Sequence, residues 1–355
     1  MKAPAADRID QPGPSPARVV AIGASAGGVE ALRSLCAALP PDLPAAVLVV
    51  LHVPRSAPSA LPGILTRSGP LPAHAAIDGE VLRPGLVYVA PVDRHLLIVE
   101  NRVRLSVGPA ENGHRPAIDP LFRSVARAFG PESVGVVLSG SRDDGAAGLT
   151  SIAAHGGVTM VQEPADALYP SMPLAALDQI RADHVLPAAK LAGVLGEISR
   201  VPPGRGRPGA ADPLLDAEVA MSDLGPVTTA DVSGAPAGYG CPDCGGALFE
   251  LPGAVLPRYR CRVGHAWSPE SLLDEQTIAL ESALWMALRA LEEKSELSRR
   301  MAVSQPDHRG LRAMRLRAVA EDAKGAGALI RTLIERIGTA ADGPLRSPVD
   351  GPSAD

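Results

Sequence analysis

The sequence predicts a doubly wound α/β fold with a mainly parallel sheet in three layers (α/β/α), followed by a small Cys/His module and an α-hairpin. Short apolar runs alternate with amphipathic helical patterns over residues 18–198, as in parallel sheets that are covered on both faces. Three of the four cysteines lie within residues 241–261. Leucines then recur at helical spacing over residues 273–291, and a second helical pattern covers 311–337.

The individual elements follow from these patterns. Strands are predicted near residues 18–22, 45–51, 86–90, 96–99, 103–107, 134–139, 158–162 and 184–186. Helices are predicted near residues 29–39, 119–129, 146–155, 174–180 and 188–198. The three patterns between 86 and 107 are spaced as antiparallel hairpins, so we expect them to form an insertion at one edge of the sheet.

The composition also suggests where the chain divides. Residues 201–240 are rich in Pro, Gly, Ala and Asp without a sustained period, which is typical of a linker. We therefore expect a disordered N-terminus (1–16), an α/β domain (17–200), a flexible linker (201–240), a Cys/His segment (241–268), a helical hairpin (269–337) and a disordered tail (338–355).

Charge and hydropathy narrow the function classes. The formal net charge of -5 gives no reason to expect a nucleic-acid partner. The apolar run at residues 45–51 is too short to span a bilayer, so no membrane insertion is expected. The N-terminus has no signal-peptide pattern, and clustered cysteines suit a metal site in a reducing compartment. We expect a soluble cytoplasmic protein.

Residues 23–27, Gly-Ala-Ser-Ala-Gly, fit the Gly-x-Ser-x-Gly elbow, which places a serine on a sharp strand-to-helix turn. Small neighbours allow the tight turn, and the following helix directs free N–H groups to where an oxyanion would form. Glycine turns after a first strand also bind phosphates, so that alternative stays open for Ser25. A dinucleotide site is disfavoured because Gly-x-Gly-x-x-Gly and a Walker lysine are both missing.

A base and an acid follow two other predicted strands. His52 comes directly after residues 45–51, and Asp144 lies shortly after residues 134–139. Because the carboxyl ends of parallel strands meet at one edge of the sheet, Ser25, His52 and Asp144 are expected to lie together as a catalytic triad. Asp143 is the rival acid, and spacing does not decide between the two carboxylates.

At this point the sequence resembles the chemotaxis methylesterase family (CheB-type). The matching segments are IGASAGGVEA (22–31), LHVP (51–54), VYVAP (87–91), HRPAIDPLF (114–122), LSG (138–140), DGAAGL (144–149) and MP (172–173). The resemblance implies a doubly wound α/β fold. It also implies an enzyme that hydrolyses methyl esters on the glutamates of a methylated chemoreceptor or sensory protein, releasing methanol; some members of the family also deamidate glutamine. It places the triad on Ser25, His52 and Asp144 and implies that catalysis needs no cofactor. It also implies that the protein reverses the reaction of a receptor methyltransferase.

Two departures from the family pattern affect these expectations. The acidic loop usually reads Thr-Gly-Met-Gly-x-Asp-Gly, whereas residues 139–145 read Ser-Gly-Ser-Arg-Asp-Asp-Gly. Ser141 thus replaces a methionine and Arg142 a glycine, which suggests altered substrate preference or reduced activity. Family members typically begin with a phospho-accepting receiver domain, whereas this sequence opens almost directly with the esterase pattern, so control by aspartyl phosphate within the chain is not expected.

The Cys/His segment has the spacing C-x₂-C-x₁₆-C-x₃-H, formed by Cys241, Cys244, Cys261 and His265. Two close ligand pairs at this separation predict a tetrahedral Zn²⁺ in a zinc-ribbon-like segment. Four protein ligands leave no open position, so the predicted Zn²⁺ is structural. Certain receiver-less relatives of the methylesterases are similar here, and we hypothesise a docking module.

Three functions remain open on the sequence. The first is an active methylesterase, the second a catalytically weak binding module, and the third a small-molecule esterase. The altered loop at Ser141 and Arg142 favours the second, whereas the complete triad favours the first. Arg115 is expected either to line the substrate site or to form a structural ion pair, and Cys36 is expected in the core.

Overall fold

The computed structural model describes residues 16–53, 59–201, 212–223, 234–252, 257–307 and 309–341. The chain divides into two compact units, Met1–Leu272 and Leu273–Asp355. The segments predicted to be disordered, 1–16 and 338–355, lie outside the described residues except for residue 16 and residues 338–341, and the latter are helical, against the prediction. Within the described part, no helix is both long and apolar enough to cross a membrane.

The first unit opens with alternating strands and helices. In chain order these are β1 (Arg18–Ala24), α1 (Gly28–Ala38), β2 (Ala45–Leu51), α2 (Leu61–Ser68), β3 (Ala73–Ala75), β4 (Val87–Val89), β5 (His95–Val99), β6 (Arg102–Ser106), α3 (Ile118–Phe129), β7 (Ser133–Val137), α4 (Ala146–Ala154), β8 (Val158–Gln162), α5 (Ser171–Gln179), β9 (His184–Leu186) and α6 (Ala188–Arg200).

Seven of these strands form one parallel sheet in the order β3-β4-β2-β1-β7-β8-β9. The strand order reverses between β1 and β7, which makes this pair the topological switch point. In open α/β sheets, ligands bind beyond the carboxyl ends of the strands at such a point. The loops that follow β1, β2 and β7 therefore surround the expected position of a site.

The sheet is covered on both faces, which confirms the predicted three-layer α/β/α fold. Along β1, Val20 and Ile22 pack into a core with α1 and α6, whereas Val19 and Ala21 pack into a second core with α3 and α4. This alternation follows from the two-residue period of a strand. Cys36 is 3% exposed in the first core, as predicted.

The expected insertion of antiparallel hairpins at residues 86–107 is only partly correct. Strands β5 and β6 form a separate antiparallel pair. Strand β4 instead lies in the main sheet, parallel to β2 and β3. Strand β3 has only three residues, too few to show a period, and without it the parallel pairing of β4 could not be seen in the sequence.

The linker prediction for residues 201–240 is wrong where it meets helix α7 (Pro213–Ser222). Asp212 caps this helix, because its side chain accepts a hydrogen bond from Leu215 N, and Pro213 occupies the first turn. Leu215 and Val219 are buried. A cap, a proline and two apolar residues thus formed a short helix signal inside a polar stretch.

A four-stranded antiparallel sheet follows, here called the Cys/His module: β10 (Pro236–Gly240), β11 (Ala247–Glu250), β12 (Tyr259–Cys261) and β13 (Ala266–Trp267). Helix α8 (Pro269–Val303) begins directly after β13, and α9 (Leu311–Ala341) follows it. In the second unit, Ser295 donates to the carbonyl of Ala320, and Leu288 lies beside Gly327. These contacts run in opposite chain directions and indicate the antiparallel hairpin.

Candidate active site

The structure brings Ser25, His52 and Asp144 together at the carboxyl edge of the sheet. Ser25 follows β1, His52 follows β2, and Asp144 lies in the loop between β7 and α4. His52 Nδ1 is 3.2 Å from Ser25 Oγ, and His52 Nε2 is 2.8 Å from Asp144 Oδ2. A hydroxyl, an imidazole and a carboxylate in one hydrogen-bonded chain have the geometry of a nucleophile, a base and an orienting acid.

The imidazole is held on several sides. Its side chain is 6% exposed, and the His52 backbone N–H donates to the carbonyl of Ala24. The ring of His114 stacks on it, with centroids 3.7 Å apart and planes 11° from parallel. Nδ1 faces the serine and Nε2 the carboxylate, which is the reverse of the chymotrypsin arrangement. His114 was not singled out in the sequence, although it opens one of the family-like segments.

Asp144 is 2% exposed and fully engaged. Oδ2 accepts from His52 and from Ile118 N at 2.7 Å, while Oδ1 accepts from Asn112 Nδ2 at 3.2 Å and Asp119 N at 3.3 Å. Burial alone would raise its pKa, but the hydrogen bond and charge of His52 and the N–H of Ile118 lower it below the ordinary range. The first turn of α3 therefore favours the ionised carboxylate.

Asp119 holds the same loop from the other side, and sequence reasoning missed it. Its Oδ1 accepts from Gly145 N at 3.1 Å and Gly148 N at 2.6 Å, so it caps the first turn of α4. Asp144 in turn binds the first turn of α3, which makes the capping of the two helices reciprocal. Burial and then the nearby charge of Asp144 raise the pKa of Asp119. The signal available was its position in the family-like segment 114–122.

Asp143, the rival acid, has different partners. Its Oδ1 accepts from Ser268 Oγ at 2.8 Å and from Ser271 Oγ at 2.7 Å. Burial raises its pKa, while the two serine hydrogen bonds oppose that shift. Adjacent carboxylates in one loop are thus drawn in different directions, and Asp144 is the one that contacts His52.

Glycines around Ser25 permit close backbone approach. A Cβ on Gly140 would lie 2.0 Å from Met172 Sδ and 2.9 Å from Ser25 Cβ, closer than carbon and sulfur atoms tolerate. Gly27 has φ 68°, in the left-handed region that glycine adopts without strain. The elbow therefore requires small residues both in its own turn and in the facing loop after β7.

The altered loop keeps the backbone that a glycine would adopt. Arg142 has φ 64°, a conformation that costs a non-glycine residue roughly 1–2 kcal/mol. Ser141 is exposed. Arg115, in contrast, is engaged in structure: it pairs with Asp93 Oδ1 at 2.8 Å and donates to the carbonyls of Val107 and Gly108.

The four predicted metal ligands converge in the Cys/His module, and their ligand atoms lie within 4.8 Å of one another. Cys244 Sγ is 3.7 Å from Cys261 Sγ, and His265 Nδ1 is 3.7 Å and 3.6 Å from the sulfurs of Cys241 and Cys261. Ligand bonds of about 2.0–2.3 Å in a tetrahedron give edges of about 3.3–3.8 Å. These three separations lie in that range, so the four residues could hold a tetrahedral metal ion.

The surroundings of the cluster support the same conclusion. Gly245 N donates to the Cys241 carbonyl and Gly264 N to the Cys261 carbonyl, which closes a tight turn at each ligand pair. Trp267 is 1% exposed in the same apolar cluster as Cys241 and Cys261. Its indole nitrogen has no nitrogen or oxygen acceptor within the described residues, and the Trp267 side chain interacts with the Cys241 thiol. An N–H beside a metal-bound thiolate would stabilise the negative charge of the sulfur.

Comparison with known proteins identifies the first domain. Residues 20–195 match the family model described as CheB methylesterase. A curated protein-glutamate methylesterase/protein-glutamine glutaminase 1 of Xanthomonas euvesicatoria pv. vesicatoria is 42% identical over 179 residues, 49% of this chain and 50% of that protein. A protein-glutamate methylesterase/protein-glutamine glutaminase 3 of Anaeromyxobacter dehalogenans is 46% identical over 171 residues, 48% of this chain and 50% of that protein.

A solved structure gives a further comparison. The crystal structure of the Thermotoga maritima CheB methylesterase catalytic domain is 31% identical, covers 51% of this chain and 98% of that chain, and has a TM-score of 0.49. The chain spans about half the length of the curated relatives it matches. The match to the family model covers Ser25, His52 and Asp144. Residues 20–195 of this chain therefore belong to the CheB methylesterase family.

Proposed function

We propose that this protein is a serine hydrolase that removes methyl esters from glutamate side chains of a methylated chemoreceptor or related sensory protein, releasing methanol. The observation that carries this proposal is the hydrogen-bonded chain from Ser25 through His52 to Asp144 inside residues 20–195. The proposed setting is the cytoplasm, opposite a receptor methyltransferase.

In the proposed mechanism, Ser25 Oγ attacks the ester carbonyl while His52 Nδ1 takes its proton. The buried Asp144 carboxylate, 2.8 Å from Nε2, stabilises the imidazolium that forms. The N-terminus of α1, which begins at Gly28, stabilises the negative oxygen of the tetrahedral intermediate. His52 returns the proton to the leaving methoxide, and methanol departs.

Hydrolysis of the acyl-enzyme repeats these steps with water. His52 takes a proton from the water, which attacks the Ser25 ester; the intermediate then releases the glutamate carboxylate and Ser25 regains its proton. The names of the relatives also include protein-glutamine glutaminase. We propose that activity as well, because a side-chain amide reacts at the same carbonyl position and leaves as ammonia.

For the Cys/His module we propose Zn²⁺, bound by Cys241, Cys244, Cys261 and His265. Zn²⁺ prefers thiolate and imidazole ligands in a tetrahedron, and four protein ligands leave no position for substrate. The metal would therefore have a structural role. Metal analysis should give one zinc per native chain and a large loss in Cys244→Ser. Cys36→Ala, which changes a cysteine in the other core, should keep the metal.

The experiment that tests the activity is methanol release from methylated receptor fragments. Ser25→Ala should lower turnover by roughly 10⁴-fold or more, while Ser34→Ala, at an exposed position of α1, should remain active. No release from the folded native chain with several receptors would contradict the proposal and favour a binding module. Release from small methyl esters alone would instead favour a small-molecule esterase.

A further inference from the structure

The Cys/His module touches the turn that carries Asn112. Asn112 N donates to the Ala266 carbonyl at 2.8 Å, and Ala266 N donates to the Ala110 carbonyl at 3.3 Å. Ser268 N donates to Asn112 Oδ1 at 2.9 Å. These bonds join residues about 150 positions apart, and a single parallel bridge between Glu111 and Ala266 connects β13 to this turn.

Asn112 connects this contact to the catalytic acid. The side chain is buried, its Oδ1 is held by Ser268, and its Nδ2 donates to Asp144 Oδ1 at 3.2 Å. Its φ is 51°, in the left-handed region that asparagine tolerates better than most residues. The side-chain amide of Asn112 thus bridges Ser268, the residue directly after β13, and the carboxylate that faces His52.

Asp143 provides a second connection between the residues after β13 and the loop of Asp144. Ser268 Oγ and Ser271 Oγ both donate to its Oδ1. Ser268 Oγ also accepts from Ser271 N at 3.1 Å, so this serine caps α8 while it holds Asp143. Because Asp143 precedes Asp144 in the same loop, fixing one carboxylate restricts the backbone that carries the other.

Buried ion pairs fix the module on the same turn. Glu111 pairs with Arg123 of α3 at 2.5 Å and with Arg260 of β12 at 3.2 Å. Glu218 of α7 pairs with Arg260 at 2.9 Å and with Arg258 at 2.8 Å. Such pairs tolerate little displacement, because separating one partner leaves an uncompensated buried charge.

We propose that the Cys/His module positions the catalytic acid through the residues that directly follow β13: Ser268 and Ser271, together with Asn112 of the facing turn, are positioning residues that hold the Asp144 carboxylate against His52. This inference rests on the proposed esterase function. In the described structure the hydrogen bonds of these three side chains lead to Asp143 and Asp144, so they act through these two carboxylates. The metal-binding turn at Cys261 and His265 leads directly into β13 and Ser268, which links metal binding to the alignment of Asp144.

A substitution series at Ser268 separates positioning from capping. Ser268→Thr keeps both the cap of α8 and the hydroxyl that donates to Asp143. Ser268→Asp keeps the cap but places a second carboxylate against Asp143, and Ser268→Ala loses both the cap and the hydrogen bond to Asp143. We expect kcat to fall about 10- to 100-fold in the Asp and Ala variants, with KM unchanged and Thr close to native. Ser282→Ala, at an exposed position of α8, is the control. Native kcat in Ser268→Asp would overturn the proposal.

Hydrogen exchange provides a readout that does not depend on turnover. The amides of Ile118 and Asp119 donate to Asp144, so they should exchange faster in Ser268→Asp and Ser268→Ala but not in Ser268→Thr. The amides of β1 should stay protected, which shows that the domain is folded. If these amides exchange faster in the two variants but native protein shows no turnover, the esterase function alone is refuted. If their exchange is unchanged in Ser268→Asp, the positioning role is refuted.

Metal removal tests whether the metal-binding turn affects the position of Asp144. Protein treated with a chelator, with metal loss checked by elemental analysis, should show faster exchange at Ile118 and Asp119 and a lower kcat. Adding Zn²⁺ back should restore both. Native exchange at Ile118 in metal-free protein would overturn the link between the metal-binding turn and Asp144.

Discussion

Substituting Glu111 by Gln removes one charge from the buried ionic cluster while keeping the size of the side chain. Glu111 is 2% exposed and contacts Arg123, Arg260 and the hydroxyl of Ser222. Without its charge, Arg123 keeps only Glu218 as a carboxylate partner within the described residues, at 3.9 Å. We expect the variant to be destabilised.

The magnitude follows from two arguments. Burial would raise the pKa of Glu111, but the charges of Arg123, Arg260 and Arg258 lower it from 4.5 to about 2. That difference corresponds to about 3 kcal/mol of stability at neutral pH. Removing one partner of a buried ion pair costs about 3–5 kcal/mol. Both arguments therefore place the loss in Glu111→Gln near 3 kcal/mol.

Urea unfolding followed by tryptophan fluorescence measures this loss. The chain has two tryptophans, and Trp285→Phe leaves the buried Trp267 of the Cys/His module as the reporter. With a slope of about 2–3 kcal/mol per molar urea, the midpoint should fall by about 1–1.5 M. Asp42→Asn, which removes an exposed pair with Arg200, should change the free energy of unfolding by less than about 1 kcal/mol.

The pH dependence gives a second check on the same group. Since the folded pKa of Glu111 is depressed, its contribution is present above the ordinary glutamate value and is lost as pH falls towards about 2. The difference between native protein and Glu111→Gln should therefore shrink between about pH 4.5 and pH 2. A loss below 1 kcal/mol at neutral pH, or a difference that does not change with pH, would refute the reasoning.

Two further predictions concern the site itself. Asp144→Asn should lower turnover by about 10⁴-fold, whereas Asp143→Asn should lower it by at most about 100-fold. Methanol release measures both losses, and losses of similar size would contradict the assignment of Asp144 as the catalytic acid. Gly140→Ala places a Cβ 2.9 Å from Ser25 Cβ and should displace Ser25 and lower kcat. Gly193→Ala, whose added Cβ meets open space, should leave kcat at the native value.

The main sheet and the position of the site were accessible from the sequence because they depend on local patterns. Continuous apolar runs such as residues 45–51 predict buried parallel strands, and parallel strands place the residues that follow them at one edge. That argument brought Ser25 and His52 together. The spacing of Cys241, Cys244, Cys261 and His265 was informative for a similar reason, since each ligand pair spans a single short turn.

Other features depend on partners that are distant in the chain. Strand β3 is too short to have a period, and it is recognisable only from its pairing with β4. Asn112 is a turn residue in the sequence, and its role depends on Ser268, 156 positions away. The buried cluster of Glu111 and Glu218 was equally hidden, because charged residues in isolation predict an exposed position.

The choice between Asp143 and Asp144 shows how these two kinds of information combine. The sequence places both carboxylates after β7, and a loop at that position could direct either side chain towards His52. The decision comes from helix ends: the first turn of α3 offers the N–H groups of Ile118 and Asp119 to one carboxylate, and Asp144 occupies that place. Asp143 instead accepts hydrogen bonds from Ser268 and Ser271. The carboxylate that does not contact His52 therefore connects the loop of Asp144 to the residues that follow the Cys/His module.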